Sequence, residues 1–268
     1  MHMQWLPLPL FLIYRILMFL YIFAWLLVRA VLSAPTDGAR YLIYFSDVSY
    51  ILLCLNFMLL MVGTLVYSMQ QCCCKWCTKV QPSYAMRPAE FYRQDNTPWF
   101  LKLAWLVNTI AVPTTGVATV VYWSMLYRPG DVVDASSVHI HGVGIFLVLV
   151  DVLISRVPVM LFHIIYPTAY GAAYVIFMGI YYWAEGTNPI DGGRYIYQLI
   201  DYGRQPWIAT GLSIAMVVGM SVSFLVVFGI TLLRDQIVKQ CRLCFWNVGH
   251  PDDDTNSSEY YLPSATTV

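Results

Sequence analysis

The chain has 268 residues, 59% of them hydrophobic and 11% charged, with a formal net charge of zero and a mean hydropathy of +0.62. Soluble domains carry about a quarter charged residues, so this composition excludes a water-soluble globule, which needs polar side chains over most of its surface. The neutral balance gives no argument for nucleic acid or a bulk acidic partner, and the sequence predicts an all-α, polytopic membrane helix bundle with membrane lipids as its first partners.

About 20 apolar residues cross a hydrocarbon core of about 30 Å. Six stretches reach that length, at roughly 9–32, 41–69, 99–125, 138–157, 160–184 and 207–233. The first lacks the basic leader of a signal peptide, its apolar run is too long for one, and Pro35 follows the small residues Ser33-Ala34, so it reads as a retained span. Tyr44 and Asp47 fall in the first turns of the second stretch, with Asn56 deeper.

The connection at 70–98 is the longest and carries Pro82, Pro88 and Pro98. Cys72, Cys73, Cys74 and Cys77 open it beside Lys75, and Cys241 and Cys244 follow the sixth stretch beside Arg242. Thiols next to basic residues at a membrane surface suit S-palmitoylation. The spacings Cys74-x-x-Cys77 and Cys241-x-x-Cys244 also allow a zinc site. The extra Cys72-Cys73 pair and the absence of a glycine-turned knuckle weigh against it, and plain reduced thiols are the remaining reading. The sequence thus points to no metal and to no cofactor.

The third stretch carries Asn108; the fourth has His139 and His141 in its first turns and Asp151 ten residues on, about 15 Å deeper at helical rise. Ionisable groups at membrane depth mark either polar packing or a site. Depth predicts that Tyr44, Asp47, His139 and His141 converge near one end, while Asp151 finds Asn56, Asn108 or His163. Both readings stay open here, structural hydrogen bonding and a binding or catalytic pocket. The corner Arg156-Val157-Pro158 makes a hairpin of the fourth and fifth stretches, because proline breaks the helix ladder.

On the sixth stretch Gly211, Ala215, Gly219 and Ser223 recur at every fourth position, a small-residue face that admits a close neighbour, within the chain or in a homodimer. The membrane domain is taken as 1–244 and the polar, acidic tail 245–268 as disordered. The final Thr266 and Val268 fit a PDZ ligand, which such scaffold domains take up as an added strand with its carboxylate captured.

Sorting Lys and Arg by side gives the orientation. One face collects Arg15, the 70–98 loop, Lys102, Arg156 and Arg234 to Arg242; the other has Arg29, Arg40, Arg128, Arg194 and Arg204. The richer face, holding both termini, is expected in the cytosol. The sequon Asn256-Ser257-Ser258 lies in that tail, where glycosyltransferases do not reach it.

The run His139-x-His141-Gly142, Asp151, Pro158, His163, Tyr166-Pro167, Gly171, Tyr181-Tyr182-Trp183 and Asp201-Tyr202 before Pro206-Trp207 resembles the rolling stone family. Arg40-Tyr41-Leu42-Ile43-Tyr44 and Lys102-Leu103-x-Trp105 upstream fit it too. The resemblance implies a multipass membrane protein associated with myoblast fusion. The family is distantly similar to the androgen-induced-gene family, multipass hydrolases that cleave fatty acid esters of hydroxy fatty acids with a Thr nucleophile and a His. By that similarity His141 stands at the catalytic His, Asp151 at the downstream acid, and Tyr44 where the Thr would be. A phenol of pKa about 10 is poorly activated by imidazole. The first expectation is therefore a plasma membrane protein of cell–cell recognition or fusion; the alternative is a hydrolase or binder of fatty acid esters around Tyr44, Asp47, His139 and His141.

Overall fold

The computed structural model describes residues 7–33, 38–77, 98–128, 130 and 133–249. Six helices are long and apolar enough to span a membrane: α1 Leu8–Ser33, α2 Phe45–Cys77, α3 Trp99–Leu126, α4 Ala135–Ile154, α5 Leu161–Trp183 and α6 Pro206–Gly249. No β-strand occurs among the described residues. The side chains of Cys72, Cys73, Cys74, Cys77 and Cys244, and all of residues 250–268 with Thr266 and Val268, lie outside the described residues. Cys241 is free and half-buried.

Two helices outrun their apolar stretches. α2 continues to Cys77 and α6 to Gly249, because neither Gly nor Pro interrupts 65–77 or 231–248, and helical hydrogen bonding persists after the apolar run ends. Gly249 with Pro251 two residues on is the first stop signal on α6. The start of α2 is later than hydropathy alone predicts. Gly38–Ile43 forms a 3₁₀ turn first, and Tyr44 joins it to the helix.

α3 is the most buried span and the axis of the bundle. On one side of it Ile22, Tyr50, Leu53, Phe57, Ile140 and Val148 pack together from α1, α2 and α4. On the other, Phe45, Tyr174, Met178, Ile196 and Met220 join α2, α5, α6 and the α5–α6 loop. In a bilayer these residues hold together through close packing rather than exclusion of water.

Gly171 shows how tight this packing is. A Cβ there would lie 2.8 Å from Met220 Cγ and 3.7 Å from the Val217 Cα, and Met220 is fully buried. Gly171→Leu is expected to destabilise the protein by about 1–3 kcal/mol by forcing α5 away from α6, with Gly171→Ala milder. Apparent melting temperatures of the purified protein check this; equal values for Leu and Gly would refute the close approach.

Asp134 starts α4 as its N-cap: Oδ1 accepts from the Ser137 N–H at 3.1 Å and Oδ2 from the Ser136 hydroxyl at 2.6 Å. Partial burial raises its pKa, but the bonds from Ser136 and Ser137, with Arg29 nearby, outweigh this and hold the carboxyl below its ordinary range. Such a group stabilises above the ordinary carboxyl pKa, and the stabilisation is lost as pH falls through the lowered value. Asp134→Ala should cost about 1 kcal/mol and remove that acid-side loss, whereas Asp134→Asn keeps the cap. Melting of the three proteins from neutral to acid pH tests it.

Candidate functional site

Of the residues expected to converge, Asp47 and His139 are held by α1 and Tyr44 by the α5–α6 loop. Asp47, buried in the first turn of α2, receives Arg29 of α1 through two parallel bonds, Nε to Oδ1 at 2.8 Å and Nη2 to Oδ2 at 3.1 Å. Tyr44 donates its hydroxyl to Asn188 Oδ1 at 3.4 Å and lies against the Tyr197 ring. His139 faces α1, its ring stacked on Trp25 at 3.5 Å and its Nδ1 2.5 Å from the Tyr21 hydroxyl.

Tyr44 thereby anchors a folded loop. In 184–205, Asn188 donates Nδ2 to the Ile196 carbonyl at 2.8 Å and accepts from the Ile190 N–H at 2.8 Å. Asp191 accepts from the Tyr195 hydroxyl at 2.6 Å. Tyr197 accepts the Phe45 N–H at 2.8 Å, one of the orphan donors at the start of α2. Ile196 is buried against the bundle.

His141 has a separate setting. α3 ends in a π-helical turn, Tyr122–Leu126, and α4 carries another, His139–Val143. The two meet. The His141 ring stacks on Tyr122 at 3.8 Å with the planes 2° apart, and Trp123 Nε1 donates to the His141 carbonyl at 2.9 Å. π turns shift the register of a helix by one residue and recur at functional sites. His141 is 5% exposed, and its Nδ1 has no hydrogen-bond partner among the described residues.

His141 lines a cavity of about 510 Å³ between α3, α4 and α6, within the range of about 300–1,000 Å³ usual for ligand pockets. Tyr44, Asp47, His139 and Asp151 are not among its lining residues. The small-residue face of α6 contributes instead: Ala215, Gly219 and Ser223 line the cavity, and Ser223 donates to the Pro113 carbonyl at 2.9 Å. A Cβ on Gly116 would come within 2.7 Å of the Ser223 Oγ. These three small residues thus serve the approach of α6 to α3 and the space beside it, while Gly211 has no neighbour within 4 Å of an added Cβ.

Asp151 lies toward the opposite end, and its partner is not the one depth suggested. Arg15 Nη1 sits 2.5 Å from Oδ1, the Tyr14 hydroxyl 3.1 Å and the Ser155 hydroxyl 2.8 Å. Arg15 Nη2 also donates to Ser155 Oγ at 2.7 Å, and Arg234 of α6 donates to the carbonyls of Val152 and Ser155. Asn56 and Asn108 bond each other at 3.2 Å. His163 Nδ1 has no partner among the described residues.

Sequence reasoning assigned Arg15 and Arg234 to the basic face, yet both are buried. The available signal was an arginine two turns inside an apolar stretch, which demands a buried carboxylate. Tyr122 beside His141 carried no comparable signal, since aromatic residues are ordinary in membrane helices.

Residues 6–249 match the family described as Protein rolling stone. Among curated proteins, the Protein rolling stone of Drosophila melanogaster is 24% identical over 107 residues, which is 39% of this chain and 38% of that relative. The match thus spans well under two thirds of the relative's length, and no solved structure matches the chain. With six membrane-spanning helices and a family match over nearly all of its length, the chain is an integral membrane protein that belongs to the rolling stone family.

Proposed function

We propose that this protein acts at the plasma membrane in cell–cell recognition or membrane fusion of the myoblast type, with both termini in the cytosol. The observation that carries the reading is the folded α5–α6 loop: pinned by Asn188, Tyr195 and Tyr197, it holds Ile190 80% exposed. A rigid surface that presents an apolar side chain suits contact with a partner, since little ordering entropy opposes binding. The positive-inside pattern favours an extracellular position for this loop. Acyl groups on Cys72, Cys73, Cys74 and Cys77 would tether the opposite face.

Tyr44 is engaged by the α5–α6 loop and Asp47 and His139 by α1, and none of the three lines the cavity beside His141, which favours recognition over ester hydrolysis. The test is content mixing between two populations of cells, each carrying half of a split luciferase. Expression on both sides should raise the signal, and Ile190→Asp should abolish the rise at unchanged surface level. Equal mixing with and without the protein overturns the proposal.

A further inference from the structure

We infer that the α5–α6 loop recognises a second copy of itself on an apposed membrane, through Ile190 and the exposed pair Glu185 and Arg194 beside it. The inference names the partner of the surface proposed above, and it rests on the extracellular position given to that surface.

The turn that carries Ile190 is closed on itself. The Asn188 N–H donates to the Gly193 carbonyl at 2.7 Å, and the Gly192 N–H to the Asn188 carbonyl at 2.9 Å. Pro189 has a fixed φ suited to the turn, and Gly192 takes φ +73°, which glycine adopts without strain. The loop also engages two of its own carboxylates. Asp191 accepts from the Gly193 N–H and the Tyr195 hydroxyl, and Asp201 from the N–H groups of Gly203 and Arg204. Beside Ile190, the groups left open to a partner are Arg194 and Glu185, Nη2 to Oε1 at 3.2 Å, with side chains 54% and 74% exposed. Arg194 also lies over the Tyr182 ring, 5.6 Å from its centre, which holds the guanidinium in place.

Glu185 sits where local structure disfavours it twice. α5 ends in a Schellman motif, in which the Gly186 N–H donates to the Tyr181 carbonyl at 2.9 Å and the Glu185 N–H to the Tyr182 carbonyl at 3.1 Å. Glu185 takes φ +59° there, the left-handed position that glycine usually fills. Its carboxylate also meets the partial negative charge at the helix C-terminus. An exposed ion pair offsets little of either cost. A strained residue on a surface points to a use for its side chain.

Charge selects the occupant. A loop of one sign would repel its own copy, but over 184–205 Glu185, Asp191 and Asp201 stand against Arg194 and Arg204. Two copies related by a two-fold axis make reciprocal contacts, so each Arg194 meets the Glu185 of the other, and the two Ile190 side chains pack together. The two pairs then join into a ring of alternating charge. So small a contact falls below the area of about 1,000 Å² expected of a stable interface. It gains strength where many copies face one another across two membranes.

The experiment uses the full chain in proteoliposomes, with clustering followed by light scattering. Wild-type vesicles should cluster with one another and not with protein-free phosphatidylcholine vesicles. Glu185→Lys makes the exposed pair wholly basic and Arg194→Glu makes it wholly acidic. Vesicles bearing either variant should cluster with their own kind about 10-fold more slowly, whereas a mixture of the two should cluster at close to the wild-type rate. Glu185→Gly should weaken clustering yet melt no lower than the wild type, since glycine suits that turn. Wild-type vesicles that do not cluster, or that cluster equally with protein-free vesicles, overturn the inference, as does a mixture of the reversed variants no faster than either alone. Content mixing between cells would then still stand as evidence of recognition, through a different partner. Clustering without content mixing would retire the fusion role and leave the self-contact in place.

Discussion

Replacing Arg15 with Met is expected to destabilise the protein by about 3–5 kcal/mol, the usual cost of leaving one member of a buried ion pair without the other. Asp151 would keep the Tyr14 and Ser155 hydroxyls but lose the only cation bonded to it among the described residues, and at 3% exposure no water replaces it. Asp151→Leu should be as damaging, since Arg15 is fully buried. The double variant Arg15→Met with Asp151→Leu should recover most of the loss, because two apolar side chains leave no charge to solvate. Melting temperature and detergent-soluble yield of the four proteins decide it. Single variants that melt with the wild type would show that the pair contributes nothing.

At the other end, Arg29→Met should cost about 2–3 kcal/mol, the value of bonds to a charged group whose partner stays buried. The effect is smaller than at Arg15 because the Arg29 side chain is 26% exposed, and headgroup water can reach part of the site. Arg29→Lys should fall between wild type and Met. It restores the charge but not the planar fork that meets both Asp47 oxygens. A Lys variant that melts with Met would mean that geometry carries the pairing; one that melts with wild type, that charge alone does.

The fold was legible because bilayer thickness converts composition directly into span number, and five of the six spans lie within about four residues of the apolar runs, while the sixth continues past 233 to Cys241. Their ends were less so: α2 and α6 stop where backbone chemistry stops them, not where hydropathy falls. The site was legible only in part. Depth placed Asp47, His139 and His141 near one end, yet rotation about each helix axis decides partners, and a single sequence does not give it. Residues two positions apart point about 200° apart around a helix, so His139 faces Trp25 while His141 faces Tyr122. Asp151 pairs with Arg15 rather than with Asn56, Asn108 or His163, because a charge in the second turn of α1 has to be met inside the bundle.

The Arg15–Asp151 pair also bears on how the protein is made. An arginine in an isolated span costs up to about 2.5–3.5 kcal/mol near the centre of the bilayer, and its carboxylate is 136 residues downstream. During synthesis α1 therefore enters the membrane with an uncompensated charge and waits until α4 has been translated. The pair therefore makes the fit of the first span to the bilayer depend on the fourth.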